Sequence, residues 1–299
     1  MHIRRILAAT DLSPDGNRAI GRAALLAQQH QASLHLLHVL PAMSLKMLGH
    51  AFVEHPLVTE KQLYEAAKTD LHAAADTCRQ RYAGPLQWYV EIGRPHERIA
   101  DYVRQHRIDL TVLGASTDQH APRLMIGATV LKVLRTGTQP VLIAGIEPEA
   151  PYSRVLVAVD FSGISSIAME AAAHIASGAT LHVLHVTEAM AEGKMHYAGV
   201  DAKVIQQYRD ASEQEAMRTM TGFLATLRQH APMRASSIAS IVRRGSPARI
   251  IRDEAQALQA DLIVMGKHSQ SRLEQLLVGS VTEKVLHDLD RDLLLVVGN

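Results

Sequence analysis

The chain has 299 residues, of which 47% are hydrophobic, 20% charged and 4% aromatic, and its formal net charge is +1. This balance excludes a general electrostatic attraction to nucleic acid or to anionic membranes, and the few aromatic residues exclude an extended stacking surface for single strands. Cys78 is the single cysteine, which excludes an internal disulfide and suits a reducing compartment. Since no apolar run approaches about 18 residues, we expect a cytoplasmic protein that binds neither nucleic acid nor membrane.

The most informative feature of the sequence is an internal repeat. "RRILAATDLS" (4–13) matches "SRVLVAVDFS" (153–162), and "SLHLLHVLP" (33–41) matches "TLHVLHVTE" (180–188). Three further matches follow in the same order, namely 93–99 with 245–251, 109–117 with 261–269, and 126–134 with 278–286. A period of about half the chain predicts two duplicated domains rather than a solenoid.

The segment between the two copies predicts a linker. "GIEPEAPYS" (145–153) contains two prolines and two acids and interrupts the apolar pattern. We therefore assign residues 1–146 to a first domain, 147–152 to the linker and 153–299 to a second domain.

In chain order, each copy alternates short apolar runs with longer stretches of helical period. In the second copy the predicted strands are 154–160, 180–186, 236–242, 261–266 and 292–298. The predicted helices are 164–177, 201–230, 247–258 and 280–288. Strands that are apolar nearly throughout suit a parallel sheet covered on both faces by helices. The predicted fold class is α/β, with two doubly wound, Rossmann-like domains, each a five-stranded parallel sheet flanked by helices.

A glycine-containing loop follows the fourth predicted strand of the second copy. It reads "GKHS" (266–269), then nine residues, then "GS" (279–280). Ligands of doubly wound sheets bind at this end of the strands, where the strand order reverses. Glycine lets backbone amides approach an anion, and a helix start presents unpaired N–H groups. With the positive charges of Lys267 and Arg272, the loop favours phosphate.

These motifs carry a family resemblance that covers nearly the whole chain. The sequence resembles a tandem universal stress protein with two adenine-nucleotide alpha-hydrolase-like units. Nucleotide-binding members have Gly, two residues, Gly, nine residues, Gly and Ser or Thr, and the second copy matches except that Ser269 replaces the second glycine. The resemblance implies an aspartate ending strand one, matched by Asp160, and an adenine contact ending strand two, matched by Val186. The implied nucleotide contacts are Asp160, Val186, Met265, Gly266, Lys267, Ser269, Arg272, Gly279, Ser280 and Val281.

The first copy departs further from the family pattern. Thr117 replaces the second glycine, Ala128 lacks the hydroxyl of Ser280, and Asp118 adds a negative charge. The corresponding first-domain residues are Asp11, Val39, Gly114, Thr117, Gly127 and Ala128. We expect this site to be degenerate and the second-domain site to be the better preserved one.

A purely structural interpretation of the second loop stays open. Gly266 could simply close a strand, Ser280 could be an N-cap with Glu283 completing a capping box, and the two cations could be solvated. In the binding interpretation, Asp160 suits a ribose hydroxyl or a Mg²⁺ ion shared with the phosphates.

The seventeen histidines raise the question of a metal site. His35 with His38, and His182 with His185, are three apart in predicted strands, where such residues face opposite sides of a sheet and cannot share one ion. We expect no metal site. We also expect no catalytic residue and no enzyme, because no nucleophile elbow or other catalytic pattern occurs, although slow ATP hydrolysis is conceivable.

With the resemblance, these features predict a cytoplasmic universal stress protein whose second domain binds ATP or a related adenine nucleotide, with Mg²⁺ left open, as a regulatory ligand. The alternative is the same fold without nucleotide, acting as a protein-interaction or chaperone-like module or binding another small ligand, apolar or not, or a metal. Unidentified protein partners are expected. The resemblance also implies that the last strands, near 139–145 and 292–298, pair into an intramolecular pseudo-dimer, and a further homodimer stays open.

Overall fold

The two halves of the chain share one continuous sheet. The computed structural model describes residues 2–42, 60–115, 126–187, 195, 197–230, 237–267, 279–287 and 290–298. Within these ranges the strands are β1 (Arg5–Thr10), β2 (Ser33–Pro41), β3 (Leu86–Gly93), β4 (Leu110–Gly114), β5 (Val141–Ala144), β6 (Arg154–Ala158), β7 (Thr180–Thr187), β8 (Ser237–Arg244), β9 (Leu262–Gly266) and β10 (Asp292–Val296).

Helices connect these strands. They are α1 (Pro14–His30), α2 (Glu60–Arg79), α3 (Pro95–His106), α4 (Ala128–Thr136), α5 (Gly163–Ile175), α6 (Ala202–His230), α7 (Pro247–Ala257) and α8 (Ser280–His287). None of the helices in the described ranges combines the length and apolarity that a membrane crossing requires.

The strand order is β3-β2-β1-β4-β5-β10-β9-β6-β7-β8. Strands within each half run parallel, and the order reverses between β1 and β4 and again between β6 and β9. The last strands of the two halves pair antiparallel, with Leu294 opposite Leu142. The α/β fold class is thus confirmed, and the predicted contact between the two last strands is present.

Alternation along the strands places a separate apolar layer on each face of the sheet. In β1, Ile6 and Ala8 pack into one layer, and Leu7 and Ala9 pack into the other. Helices α1, α2, α5 and α6 cover the first layer, and α3, α4, α7 and α8 cover the second. This burial on both faces explains why the strands are apolar nearly throughout.

A buried carboxylate joins the two halves at the start of β10. Asp292 is fully buried, and the Arg22 Nε lies 2.7 Å from its Oδ2. The Tyr152 hydroxyl donates to Oδ2 at 2.6 Å, and the N–H groups of Gly145 and Ile146 donate to Oδ1 at 2.9 and 3.1 Å. One acid therefore binds a helix of the first half and the segment that leads into the second half.

Arg22 has a second set of contacts at this junction. Its Nη1 donates to the Ala150 carbonyl at 2.9 Å, and its guanidinium lies 4.4 Å from the centroid of the Tyr152 ring. The Nε–H itself does not meet hydrogen-bond geometry within the described structure, so the short Nε–Oδ2 approach is an ion pair. Burial raises the pKa of Asp292, while Arg22, Tyr152 and the backbone amides oppose that rise.

His35 and His38 lie on opposite faces of β2, as their spacing predicted. The Nδ1 of His35 is 2.8 Å from the Tyr102 hydroxyl, and the Nδ1 of His38 is 2.9 Å from the Thr10 carbonyl oxygen. Burial, with smaller contributions from neighbouring positive charges, lowers the pKa of His35 to about 4. The folded protein therefore holds this imidazole neutral well below its ordinary pKa.

We predict that Asp292→Asn lowers the free energy of unfolding by about 3–5 kcal/mol, because it leaves the buried Arg22 charge without its counter-ion. Urea denaturation at neutral pH measures the loss. The exposed Asp290→Asn is the control and should change stability by less than about 0.5 kcal/mol. The double variant Arg22→Met, Asp292→Leu should recover part of the loss, and equal losses in the single and double variants would contradict this role.

We also predict that stability falls as the pH is lowered from 6.5 towards 4. The pKa of His35 is lower in the folded chain than in the unfolded chain, so the unfolded chain binds more protons in this window, and acid favours unfolding. His35→Gln should remove this part of the pH slope while leaving other contributions in place. Unfolding free energies of both proteins at pH 8, 6.5 and 5 test this, and parallel profiles would refute it.

Candidate functional site

A cavity of about 340 Å³ opens at the carboxyl ends of β6, β7 and β9 in the second half. It lies where the strand order reverses between β6 and β9, which is the usual ligand position in doubly wound sheets. Its volume falls within the range of small-molecule sites, about 300–1,000 Å³. Around it lie Asp160, Val186, Met265, Gly266, Gly279, Ser280 and Val281, all of which the sequence proposed as nucleotide contacts.

Asp160 stands on a tight turn at the end of β6. The strand was predicted to reach residue 160 but ends at Ala158, because the chain turns through Phe161, whose φ is 63°. The Asp160 Oδ1 accepts hydrogen bonds from the Ser162 N–H at 3.0 Å, from the Ser162 hydroxyl and from the Ser165 hydroxyl at 2.6 Å. These donors fix the carboxylate at the rim of the cavity.

Ser165 is a site residue that the sequence reasoning missed. Its hydroxyl donates to the Asp160 carboxylate and also accepts from the Asp160 N–H at 3.0 Å. Gly16 follows Asp11 at the same distance in the first half, so this hydroxyl distinguishes the two copies. The signal available was a serine five residues after the aspartate, in the first turn of the following helix.

His185 also lines the cavity without having been proposed as a contact. Its Nδ1 lies 2.9 Å from the Val159 carbonyl oxygen, as the Nδ1 of His38 does from Thr10 in the first half. Since a carbonyl oxygen only accepts, Nδ1 carries the hydrogen. The ring stacks on Phe161 with centroids 4.2 Å apart. The repeated histidine thus supports the turn that presents Asp160.

The start of α8 forms another part of the cavity wall. The Glu283 N–H donates to the Gly279 carbonyl at 2.9 Å, which makes Gly279 the residue that caps the helix and Ser280 its first residue. The capping-box interpretation, which required Ser280 to precede the helix, is therefore wrong. Gly279, Ser280 and Val281 line the cavity, so the positive end of the helix dipole lies beside it.

Packing alone accounts for Gly266. A Cβ atom at this position would lie 2.7 Å from the Cγ2 atom of Ile164, so only glycine lets α5 approach the end of β9 this closely. Gly114 has the same role in the first half, where a Cβ would lie 2.6 Å from the carbonyl carbon of Asp15. The structural interpretation of Gly266 is thus supported, although the residue also lines the cavity.

Lys267 points away from the cavity. Its side chain is buried, and its Nζ donates to the Arg135 carbonyl at 2.9 Å, in the last turn of α4 in the first half. Burial lowers the pKa of this ammonium group. The structure therefore does not bring the proposed phosphate contact Lys267 to the other candidates. Ser269 and Arg272 lie outside the described residues.

The first-half candidates occupy the corresponding strand ends. The Asp11 Oδ1 accepts from the Ser13 N–H at 3.0 Å, and Val39 lies near the end of β2. The Gly127 N–H donates to the Ala115 carbonyl at 3.0 Å, just before α4 begins at Ala128. Gly114 ends β4, and Thr117 lies outside the described residues.

Across the parts of the chain that the structure describes, no cluster of three or more His, Cys, Asp or Glu residues is arranged to hold a metal ion. Of the described residues around the cavity, Asp160 is the only carboxylate, and neither lysine nor arginine is among them. The described wall therefore combines apolar side chains with uncharged polar groups and a single carboxylate.

Comparison with known proteins gives one consistent family. The profile of the Universal stress protein family matches residues 2–145 and again 151–297. A universal stress protein of Mycolicibacterium smegmatis is 23% identical over 297 residues, covering 97% of this chain and 96% of its own. One of Bacillus subtilis is 29% identical over 136 residues, covering 45% of this chain and 91% of its own.

Solved structures show the same architecture. A universal stress protein from Archaeoglobus fulgidus superposes with a TM-score of 0.70 at 17% identity, covering 98% of both chains. A Pseudomonas aeruginosa protein described as functionally unknown superposes with a TM-score of 0.66 at 21% identity, covering 99% of this chain and 92% of its own. At these identities the likeness shows the fold.

We predict that Gly266→Ala lowers the free energy of unfolding by about 1–3 kcal/mol, because the added methyl group overpacks against Ile164. Gly222→Ala is the matched control. A Cβ there meets nothing within 4 Å, so alanine should stabilise α6 by about 0.5–1 kcal/mol. Chemical denaturation measures both, and a neutral Gly266→Ala would show that packing does not require this glycine.

Proposed function

The chain belongs to the universal stress protein family, and from this premise we propose that its second half binds ATP or a related adenine nucleotide as a regulatory ligand. One observation carries the proposal: the cavity at the β6–β9 reversal has a fixed carboxylate at its rim and the start of α8 in its wall. These two groups suit the two polar parts of a nucleotide, the sugar and the phosphate.

The residues around the cavity divide by chemistry. Asp160, held by Ser162 and Ser165, would accept hydrogen bonds from ribose hydroxyls. Val186 and Met265 would supply apolar wall for a flat base, and the backbone at Val186 would recognise its edge. The first turn of α8, beginning at Ser280, would bind phosphate through its N–H groups.

Magnesium would depend on the ligand for most of its coordination. Asp160 is the only carboxylate among the described residues around the cavity, and its Oδ1 already accepts three hydrogen bonds. Mg²⁺ prefers six oxygen ligands and commonly takes several from phosphates and water. We propose that Mg²⁺ accompanies the phosphates without a dedicated protein cage.

A regulatory role fits this site better than turnover. Among the described residues, the Ser162 and Ser165 hydroxyls donate to Asp160 and hold its carboxylate in place, so we assign them a supporting rather than a nucleophilic role. Ligand binding would stabilise one arrangement of a cytoplasmic protein and thereby its surface for protein partners. We propose this as the contribution of the chain to a stress response.

A second candidate follows from the position of Lys267. Since its ammonium binds Arg135, neither lysine nor arginine stands among the described residues around the cavity. Such a wall suits a ligand with little or no charge. An adenine nucleoside is one example, and a small apolar molecule is another. The same titration therefore includes adenosine.

We predict that ATP, ADP or AMP raises the melting temperature of the full chain, tested with and without Mg²⁺. A ligand at about 100 times its Kd stabilises the folded state by about 2.7 kcal/mol. Thermal denaturation at increasing nucleotide measures the shift. No shift with any of the three at millimolar concentration refutes nucleotide binding, and a shift with adenosine alone supports the second candidate.

The choice of half is tested by a matched pair of variants. Gly279→Val places a branched side chain at the start of α8 beside the cavity and should abolish the shift. Gly127→Val makes the same change at the start of α4 in the first half and should leave it intact. The reverse result would assign the nucleotide to the first half.

A further inference from the structure

Lys267 links the wall of the cavity to the opposite half of the chain. Its neighbours Met265 and Gly266 line the cavity, whereas its own side chain is 6% exposed and ends on the Arg135 carbonyl of α4. From the sequence, Lys267 was proposed to contact phosphate. In the structure its ammonium group binds the Arg135 carbonyl instead.

The backbone of Lys267 is held as firmly as its side chain. Its N–H donates to the Val296 carbonyl at 2.7 Å, one step beyond the pairing of Gly266 with Val296. Val296 belongs to β10, which pairs with β5 of the first half. Two routes, one through the sheet and one through the side chain, therefore connect this end of β9 to the first half.

The position of the Arg135 carbonyl, in the last turn of α4, explains why a lysine ammonium lies next to it. The last carbonyl groups of a helix have no partner within the helix, and the helix dipole places negative potential at that end. A lysine ammonium satisfies a carbonyl of α4 and complements the dipole. Burying a lysine ammonium costs free energy unless it is hydrogen-bonded. The buried position of Lys267 at the end of β9 therefore depends on the carbonyl that α4 supplies.

The residue that makes this link differs between the two halves. Gly266 and Gly114 end equivalent strands, so Lys267 corresponds to Ala115 in the first half. A methyl group cannot reach or bond the end of α8. The two halves are similar in fold, but at this position the second half carries a side chain that binds the neighbouring helix and the first half carries a methyl group.

The geometry points to Lys267 as a positioning residue that couples the second-half cavity to α4, so that ligand affinity depends on the packing of α4 and a bound ligand in turn stabilises α4. This inference rests on the proposed nucleotide binding. Such coupling is reciprocal. If the packing of α4 changes the free energy of ligand binding, ligand binding changes the stability of α4 by the same amount.

The experiment uses the full chain, ATP as the probe, and Lys267→Met, which keeps the apolar stem and removes the donor. Lys284→Met, an exposed lysine of α8, is the matched control. Lys267→Arg, which keeps a charged donor, tests rescue. Hydrogen exchange of peptides covering residues 129–137 reports on α4, and thermal shift titration reports on ATP affinity.

Without ligand, Lys267→Met should speed exchange in the last turn of α4, and Lys284→Met should not. ATP should slow exchange in α4 of the unaltered chain and fail to do so in Lys267→Met. The Kd for ATP should rise by about fivefold or more in Lys267→Met, and Lys267→Arg should restore most of the affinity.

The outcomes separate this inference from the function it rests on. If ATP stabilises the unaltered chain but α4 exchange and the Kd are the same in Lys267→Met, the coupling is refuted and nucleotide binding stands. If ATP does not stabilise the unaltered chain, both fail. Equal effects of Lys267→Met and Lys284→Met would also overturn the coupling, because they would reflect loss of charge alone.

Discussion

The buried carboxylate of Asp292 is the constraint on which the arrangement of the two halves depends. A charge removed from water must keep its partners, and those of Asp292 come from α1 of the first half and from the connecting segment. Any displacement of β10 relative to β5 would separate Asp292 from Arg22. Since β5 and β10 are buried along their whole length, this ion pair and its hydrogen bonds add a polar constraint on the observed register.

The same junction shows where the two halves differ in polar residues. By strand register, Pro140, the residue just before β5, corresponds to Asp292 of β10, so the acid has no counterpart in the first half. Lys267 likewise corresponds to Ala115. The contacts of Asp292 and Lys267 thus have no equivalent residue in the first half, and both residues lie at ends of second-half strands. The chain keeps a symmetric fold while its polar contacts are asymmetric.

Sequence periodicity predicted the fold because strands buried on both faces and helices buried on one leave distinct apolar patterns. Part of the cavity wall was predictable as well, since Asp160, Val186 and Gly279 stand at strand and helix ends that the repeat located. The direction of Lys267 was not predictable, because a side chain leaving a strand end can turn to the cavity or to another domain. The bonds of Ser165 and His185 depend on tertiary neighbours in the same way, and Ser269 lies outside the described residues.

The antiparallel contact between β5 and β10 has a consequence for how the protein responds to dilution. Two separate chains that paired through these strands would dissociate when scarce, but covalent linkage keeps the effective local concentration of the partner high at any abundance. Linkage therefore favours pairing of each first half with its own second half. Under that condition an asymmetric contact such as Arg22 with Asp292 forms between two segments of the same chain, and the sequences of the two halves can diverge.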